Sequence, residues 1–182
     1  MGSPKALLPD PSGRSFLDAA CALLASAGVS PLFVVVGRHR DQIEPALGGR
    51  ATLVLNPSPE RGQVSSMALG LEAARSAGRA WALVTLVDHP AVSGQSAALL
   101  AQAAAREPEA VHVPTFRGVR GHPVALPVSL AAALREAREG EGARDVIARS
   151  GLALREHPLD DAGVLVDVDT PEDLRRYREE ES

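Results

Sequence analysis

The chain has 182 residues, 45% of them hydrophobic and 23% charged, with a formal net charge of −4. This content excludes a disordered chain, and the length suits one domain, residues 1–182, with a sizeable core. The acidic balance argues against a nucleic-acid partner, no apolar run approaches a bilayer span and no signal peptide opens the sequence, so a cytoplasmic setting away from membranes is expected.

Cys21 is the only cysteine, which excludes an intrachain disulfide and a cysteine zinc site. It falls on an Ala-rich helical stretch and reads as a small core residue. Lys5 is the only lysine among 19 basic residues.

In chain order, residues 1–9 read as the tail of a loop, and 9–13 are turn-rich. Apolar residues at helical spacing predict a helix over 15–27, with Ser15 as its cap and Gly28 closing it. A buried strand is expected within 31–37, a polar helix over 38–47, a strand over 51–55 and a loop then helix over 62–74. The run 82–87 has no polar alternation, which suits a strand covered on both faces. A helix capped by Ser93 follows over 93–106, then strands at 110–114 and 124–126 around an Arg- and Gly-rich turn. Helices over 129–138 and 143–150, an edge strand at 152–157, a short strand at 164–167 and a last helix from Pro171 complete the order, with residues 179–182 frayed. The alternation of strands and helices predicts a parallel α/β sheet with right-handed crossovers.

Four groups of residues bear on chemistry. Asp88-His89-Pro90 ends the central run, which places Asp88 at the carboxyl end of a buried strand, where open α/β sheets bind ligands. A carboxylate there suits Mg²⁺, and it equally suits a turn that caps the next helix. Gly62-Gln63-Val64-Ser65-Ser66 opens a helix, so its N–H groups and side chains suit polar ligand atoms or an ordinary cap. Arg120-Gly121-His122-Pro123 offers a guanidinium for phosphate, or simply a turn before a strand. Asp167-Val168-Asp169-Thr170-Pro171 delivers two acids to one face just before a helix. Capping explains Thr170 and the residues after it, and leaves the two acids unexplained.

These stretches, together with Gly2-Ser3-Pro4-Lys5-Ala6-Leu7-Leu8 and Asn56-Pro57, resemble the MobA-like nucleotidyltransferases, and within them the branch that attaches CMP to molybdopterin. The resemblance implies an α/β Rossmann-like three-layer sandwich with a mostly parallel sheet of the nucleotide-diphospho-sugar-transferase type, a nucleoside triphosphate substrate with CTP the best guess, and a phosphorylated acceptor with the molybdopterin cofactor the best guess. It implies that pyrophosphate leaves, that Mg²⁺ is the cofactor, and that a molybdoenzyme-maturation protein is a further partner. Catalytic roles would fall to Lys5, Asp88 and Asp169, with Asp88 and Asp169 holding the metal. Lys5, Gly62, Gln63, Ser65 and Ser66 would bind the nucleotide, and Arg120 and His122 the acceptor, with Asp167 a neighbour. A sugar phosphate or another phosphate acceptor fits the same pattern, and a non-catalytic nucleotide-binding module is the alternative outside it. The family opens with a strand and a Gly-rich loop, and this chain starts near the end of that loop. An unfilled slot in mid-sheet, or a compensating arrangement, is therefore expected beside the strand that leads to Asp88, explained by a start lying upstream or by a degenerate member that binds nucleotide poorly.

Overall fold

The computed structural model describes residues 4–180, the side chain of residue 180 excepted. Gly2 and Ser3 of the first motif, and the last two residues of the expected frayed end, lie outside the described residues. No helix among the described residues is long and apolar enough to cross a membrane.

After a 3₁₀ turn at Lys5–Leu7 come α1 (Phe16–Ser26), β1 (Phe33–Val36), α2 (Arg40–Leu47), β2 (Thr52–Leu55), α3 (Gln63–Ser76) and β3 (Trp81–Val84). The second half holds α4 (Gly94–Arg106), β4 (Val111–Phe116), β5 (Val119–Arg120), β6 (Val124–Pro127), α5 (Leu130–Arg135), α6 (Ala143–Arg149), β7 (Leu154–Pro158) and α7 (Pro171–Glu180). The caps sit where the sequence puts them. Ser15 and Ser93 accept from the N–H groups of Asp18 and Ser96, and Thr170 accepts from Asp173 while Asp173 accepts in return from the Thr170 N–H.

Helices cover both faces of the larger sheet. Ala82 and Val84 of β3 pack with α3 and α5, whereas Trp81 and Leu83 pack with α4. On α3, Val64, Met67, Ala68 and Leu71 form one apolar stripe, and Leu71 is fully buried.

The sheet departs from expectation in its strand sense. It is split in two: β1 pairs with β2 in parallel, and a five-stranded sheet runs β3-β6-β4-β5 with β7 on β4. Within the larger sheet only β4–β7 is parallel, and the β3–β6, β6–β4 and β4–β5 pairings are antiparallel. The cause is local. Arg117 and Gly118 both take positive φ, 49° and 80°, which folds β4 back through a tight turn into β5. A turn that short joins only antiparallel neighbours, because a parallel pair needs a long crossover.

The central strand is also shorter than expected. β3 stops at Val84, paired with Val124, where the partner strand β6 begins and no facing backbone extends the ladder. Asp88 therefore lies in a turn four residues beyond the strand. The expected strand at 164–167 is instead a 3₁₀ turn, Ala162–Leu165, held by Asp161 accepting from the Gly163 N–H.

Candidate active site

Lys5 is the point where distant parts of the chain meet. Its ammonium donates to Asp169 Oδ1 at 2.5 Å and to Asp88 Oδ2 at 3.5 Å. Two backbone bonds bring the 164–169 segment to this place. The Val168 N–H donates to the Asp88 carbonyl at 2.9 Å, and the His122 N–H donates to the Val164 carbonyl at 2.9 Å. Behind them, Phe16, Val168 and Tyr177 form a buried cluster with Val87, Val166 and Leu174, which fastens α7 to the turn carrying Asp88. Val87, lost to the strand, is used here.

The acids are crowded. Asp88, His89 and Asp167 each present a ligand atom, and these three atoms lie within 4.8 Å of one another. Asp88 Oδ1 and His89 Nδ1 are buried without a hydrogen-bond partner in the protein. Burial, reinforced by the charges of Asp88 and Asp169, pushes the Asp167 carboxyl above its usual range. The hydrogen bond and charge of Lys5 hold Asp169 below the usual range. For Lys5 itself burial works downward, but the bonds and charges of Asp169 and Asp88 outweigh it and raise the pKa. Burial, followed by the charge of His89, lowers His122 to about 4, so its imidazole is neutral at physiological pH. The His89 and His122 rings lie 4.5 Å apart, tilted by 46°.

This arrangement concentrates negative charge that one ammonium only partly offsets, and it leaves Asp88 Oδ1 and His89 Nδ1 buried and unpaired. A carboxylate, carboxylate and imidazole set suits a divalent cation.

The other residues singled out in the sequence divide. Gly62, at φ 78°, turns the chain into α3. Gln63 and Ser66 line the same cavity as Asp88. Ser65 is buried and its hydroxyl donates to the Gly62 carbonyl at 2.8 Å, while the Asn56 amide donates to both Ser65 and Ser66 at 2.9 Å. Ser65 thus locks the loop before α3. Arg120 is exposed on β5 and pairs with Glu156 of β7 through Nε at 2.7 Å; it does not join the Lys5 group. His122 joins it through His89. Sequence reasoning assigned His89 no role, although it directly follows Asp88, and it grouped Asp167 with Asp88 and Asp169 as acids for a metal without giving it a ligand's role. Asn56 is the anchor of the α3 entrance, a role its Asn56-Pro57 motif did not disclose.

The MobA-like NTP transferase domain model matches residues 1–159, a span that ends before Asp167 and Asp169. A search of curated proteins finds no match. Among solved structures, a nucleotidyl transferase from Methanothermobacter shares 25% identity at a TM-score of 0.79, covering 97% of this chain and 84% of its own. Rv0371c from Mycobacterium tuberculosis, in its complex with manganese, shares 22% identity at a TM-score of 0.77, covering 98% and 93%. The 2-C-methyl-D-erythritol 4-phosphate cytidylyltransferase of Thermus thermophilus shares 23% identity at a TM-score of 0.72, covering 98% and 93%. These likenesses carry the fold, a mixed α/β nucleotide-diphospho-sugar-transferase type, and the family match extends to 159 of the 182 residues. The chain belongs to the MobA-like NTP transferase domain family.

Proposed function

We propose that this nucleotidyltransferase moves a nucleoside monophosphate from a triphosphate, with CTP the favoured donor, onto a phosphorylated acceptor, and that pyrophosphate leaves. The observation that carries the reading is the single Lys5 ammonium held between Asp88 and Asp169, beside Asp167 and His89. A divalent cation, Mg²⁺ or Mn²⁺, fits Asp88, Asp167 and His89, because Asp88 Oδ1 and His89 Nδ1 are buried and unpaired. Bound there, the ion would draw negative charge from the α-phosphate and the leaving pyrophosphate. The manganese complex of the mycobacterial neighbour supports a divalent ion, and the cytidylyltransferase neighbour supports CTP.

The chain's own residues do the positioning. Lys5 offers its ammonium to the triphosphate, exchanging carboxylate partners for phosphate oxygens. Asp169 holds Lys5 charged and in place. Gln63 and Ser66, at the start of α3, face the shared cavity and suit the base or ribose. His122, neutral and half-buried, suits the acceptor side as a hydrogen-bonding group. A molybdopterin-type acceptor is the specific proposal; a sugar phosphate is the competing acceptor of the same chemistry.

Pyrophosphate release, measured for four triphosphates against a panel of phosphorylated acceptors with Mg²⁺ or Mn²⁺, tests this. Release is expected with CTP, and Asp88→Asn should lower it at least about 100-fold, the size of a lost electrostatic contact to the reacting phosphates. Unchanged release in Asp88→Asn overturns the site. Triphosphate binding without release for any acceptor indicates a binding module instead.

A further inference from the structure

We propose that Asp161 is the positioning residue of the metal-binding group: its carboxylate fastens the 162–169 segment to the start of α4 and thereby sets where Asp167 stands against Asp88 and His89. The inference rests on the divalent-cation reading above and deepens it. Asp161 is not itself one of the three ligands.

Asp88 and His89 lie in the turn after β3, and Asp167 lies in irregular chain after the Ala162–Leu165 turn. No strand ladder or helix fixes the spacing between them, so cross-links must. The Asp161 carboxylate makes three. Its Oδ2 accepts from the Ser96 hydroxyl at 2.6 Å and from the Ser93 N–H at 3.1 Å. Its Oδ1 accepts from the Gly163 N–H at 2.9 Å. One oxygen thus holds the start of α4, and the other holds the segment. Ser93 closes the same short stretch that opens with Asp88 and His89, so both sides of the metal group are tied to one carboxylate.

The seam beside this anchor is tight. A Cβ on Gly163 would fall inside contact distance of the Ala91 carbonyl oxygen and carbon, so backbone lies directly on backbone there. Val164 follows, fully buried, its carbonyl accepting from the His122 N–H, and Val168 donates to the Asp88 carbonyl. Gly163 stands at the head of this run, and Asp161 holds its N–H. The 3₁₀ turn that carries Val164 inward starts from the same bond. A metal site needs its ligands held to within about 0.5 Å, and residues behind the ligands supply that placement.

Capping of α4 does not account for Asp161. Ser93 already caps that helix, its hydroxyl accepting from the Ser96 N–H at 3.2 Å. What Asp161 adds is a tie between the helix and a segment 65 positions further along the chain. A carboxylate suits this place better than an amide. It accepts at both oxygens, and the positive end of the α4 dipole favours its charge. An asparagine would turn an NH₂ group toward one of the two sets of donors. Burial works upward on the Asp161 carboxyl, but the bonds from Ser96, Ser93 and Gly163 outweigh it and hold it below its usual range. The anchor therefore stays ionised at physiological pH.

The test compares the parent chain with Asp161→Asn, Ser96→Ala, Ser93→Ala and Asp88→Asn. Mn²⁺ affinity is read by electron paramagnetic resonance. Amide hydrogen exchange is read without metal at Val168, relative to Leu71, whose amide reports global unfolding. Asp161→Asn should weaken Mn²⁺ binding at least about tenfold, the size of a lost partner behind a metal ligand. Its Val168 amide should exchange at least about tenfold faster relative to Leu71. Ser96→Ala removes one donor and leaves the carboxylate charged. It should move both readings the same way by at least about threefold, the size of one lost hydrogen bond, and it decides the matter if Asp161→Asn does not fold. Ser93→Ala strips α4 of its own cap and lowers the Tm, yet should leave both readings within about twofold of the parent. Unchanged Mn²⁺ affinity in Asp161→Asn and Ser96→Ala overturns the proposal. An equal loss in Ser93→Ala also overturns it, because Asp161 then only supports the helix. Weaker Mn²⁺ binding with unchanged Val168 exchange overturns it too, because the lost charge then acts through space and positions nothing. Mn²⁺ binding that is absent from the parent, or unaltered in Asp88→Asn, overturns the metal reading and this proposal together, which separates that failure from the failure of Asp161 alone.

Discussion

Gly121→Ala tests how the two halves of the site are held together. A Cβ built on Gly121 falls inside contact distance of the Val164 carbonyl oxygen and carbon, and 3.0 Å from Val164 Cβ. The obstacle is backbone, so no side-chain rotation relieves it. The neighbouring His122 N–H donates to that same Val164 carbonyl at 2.9 Å. Making room for the methyl moves the 162–168 segment away and breaks this bond. Overpacking costs about 1–3 kcal/mol, and the lost hydrogen bond about 1 kcal/mol. Their sum, roughly 2–4 kcal/mol, lowers the Tm by roughly 5–15 °C in a domain of this size. The same displacement draws Asp167 and Asp169 from Asp88, so Mn²⁺ affinity should fall at least about tenfold, equivalent to about 1.4 kcal/mol. Differential scanning calorimetry and a Mn²⁺ titration read the two effects. Gly70→Ala is the control: its methyl would meet the Val35 side chain at an ordinary 3.4 Å inside a helix, where Ala is favoured. A Gly121→Ala protein with the parent's Tm and the parent's Mn²⁺ affinity would refute the reasoning.

Two further outcomes are expected. His122 titrates near 4 in the folded chain and near its ordinary 6.5 when unfolded, so the unfolded state binds the extra proton between those values. Its contribution is fully present above about pH 6.5 and is lost as pH falls through 4, a loss of up to about 3 kcal/mol. Urea unfolding of His122→Gln should show a shallower pH slope across that window, and equal slopes would exclude His122 as the source. Leu71→Ala removes a fully buried side chain at the centre of the α3 core. It should lower the unfolding free energy by about 2–5 kcal/mol with an unchanged m-value, and a loss under about 1 kcal/mol would show that the site collapses around the deletion.

Helices and their ends were readable because their signals are local. Ser15, Ser93 and Thr170 cap through bonds to residues three positions on, and the α3 stripe repeats at one turn's spacing. Apart from the one expected at 164–167, the predicted strands lie in their approximate places, but their partners were not legible. The Arg117-Gly118 pair was legible as a turn; that both residues take positive φ and fold β4 back into a hairpin was not. The end of β3 was equally hidden, because it is set by where the facing strand β6 begins. At the candidate site, Lys5 was singled out through its family motif, and Asp88 and Asp169 also through their places after apolar runs. His89 and Asp167 gained their place only from how the 164–169 segment docks on the turn beside Asp88.

Composition, periodicity and capping determined by themselves which segments are helical, which are apolar enough to be covered on both faces, and which side chains are available for chemistry. Each of those properties is decided within about one or two turns of chain. Tertiary structure alone decided the antiparallel sense of most of the central sheet, the pairing of Arg120 with Glu156 outside the Lys5 group and, among the described residues, the edges of β1 and β3 that pair with no strand. A backbone edge or a carboxylate acquires its partner from whatever element packs beside it, and that element lies far along the chain.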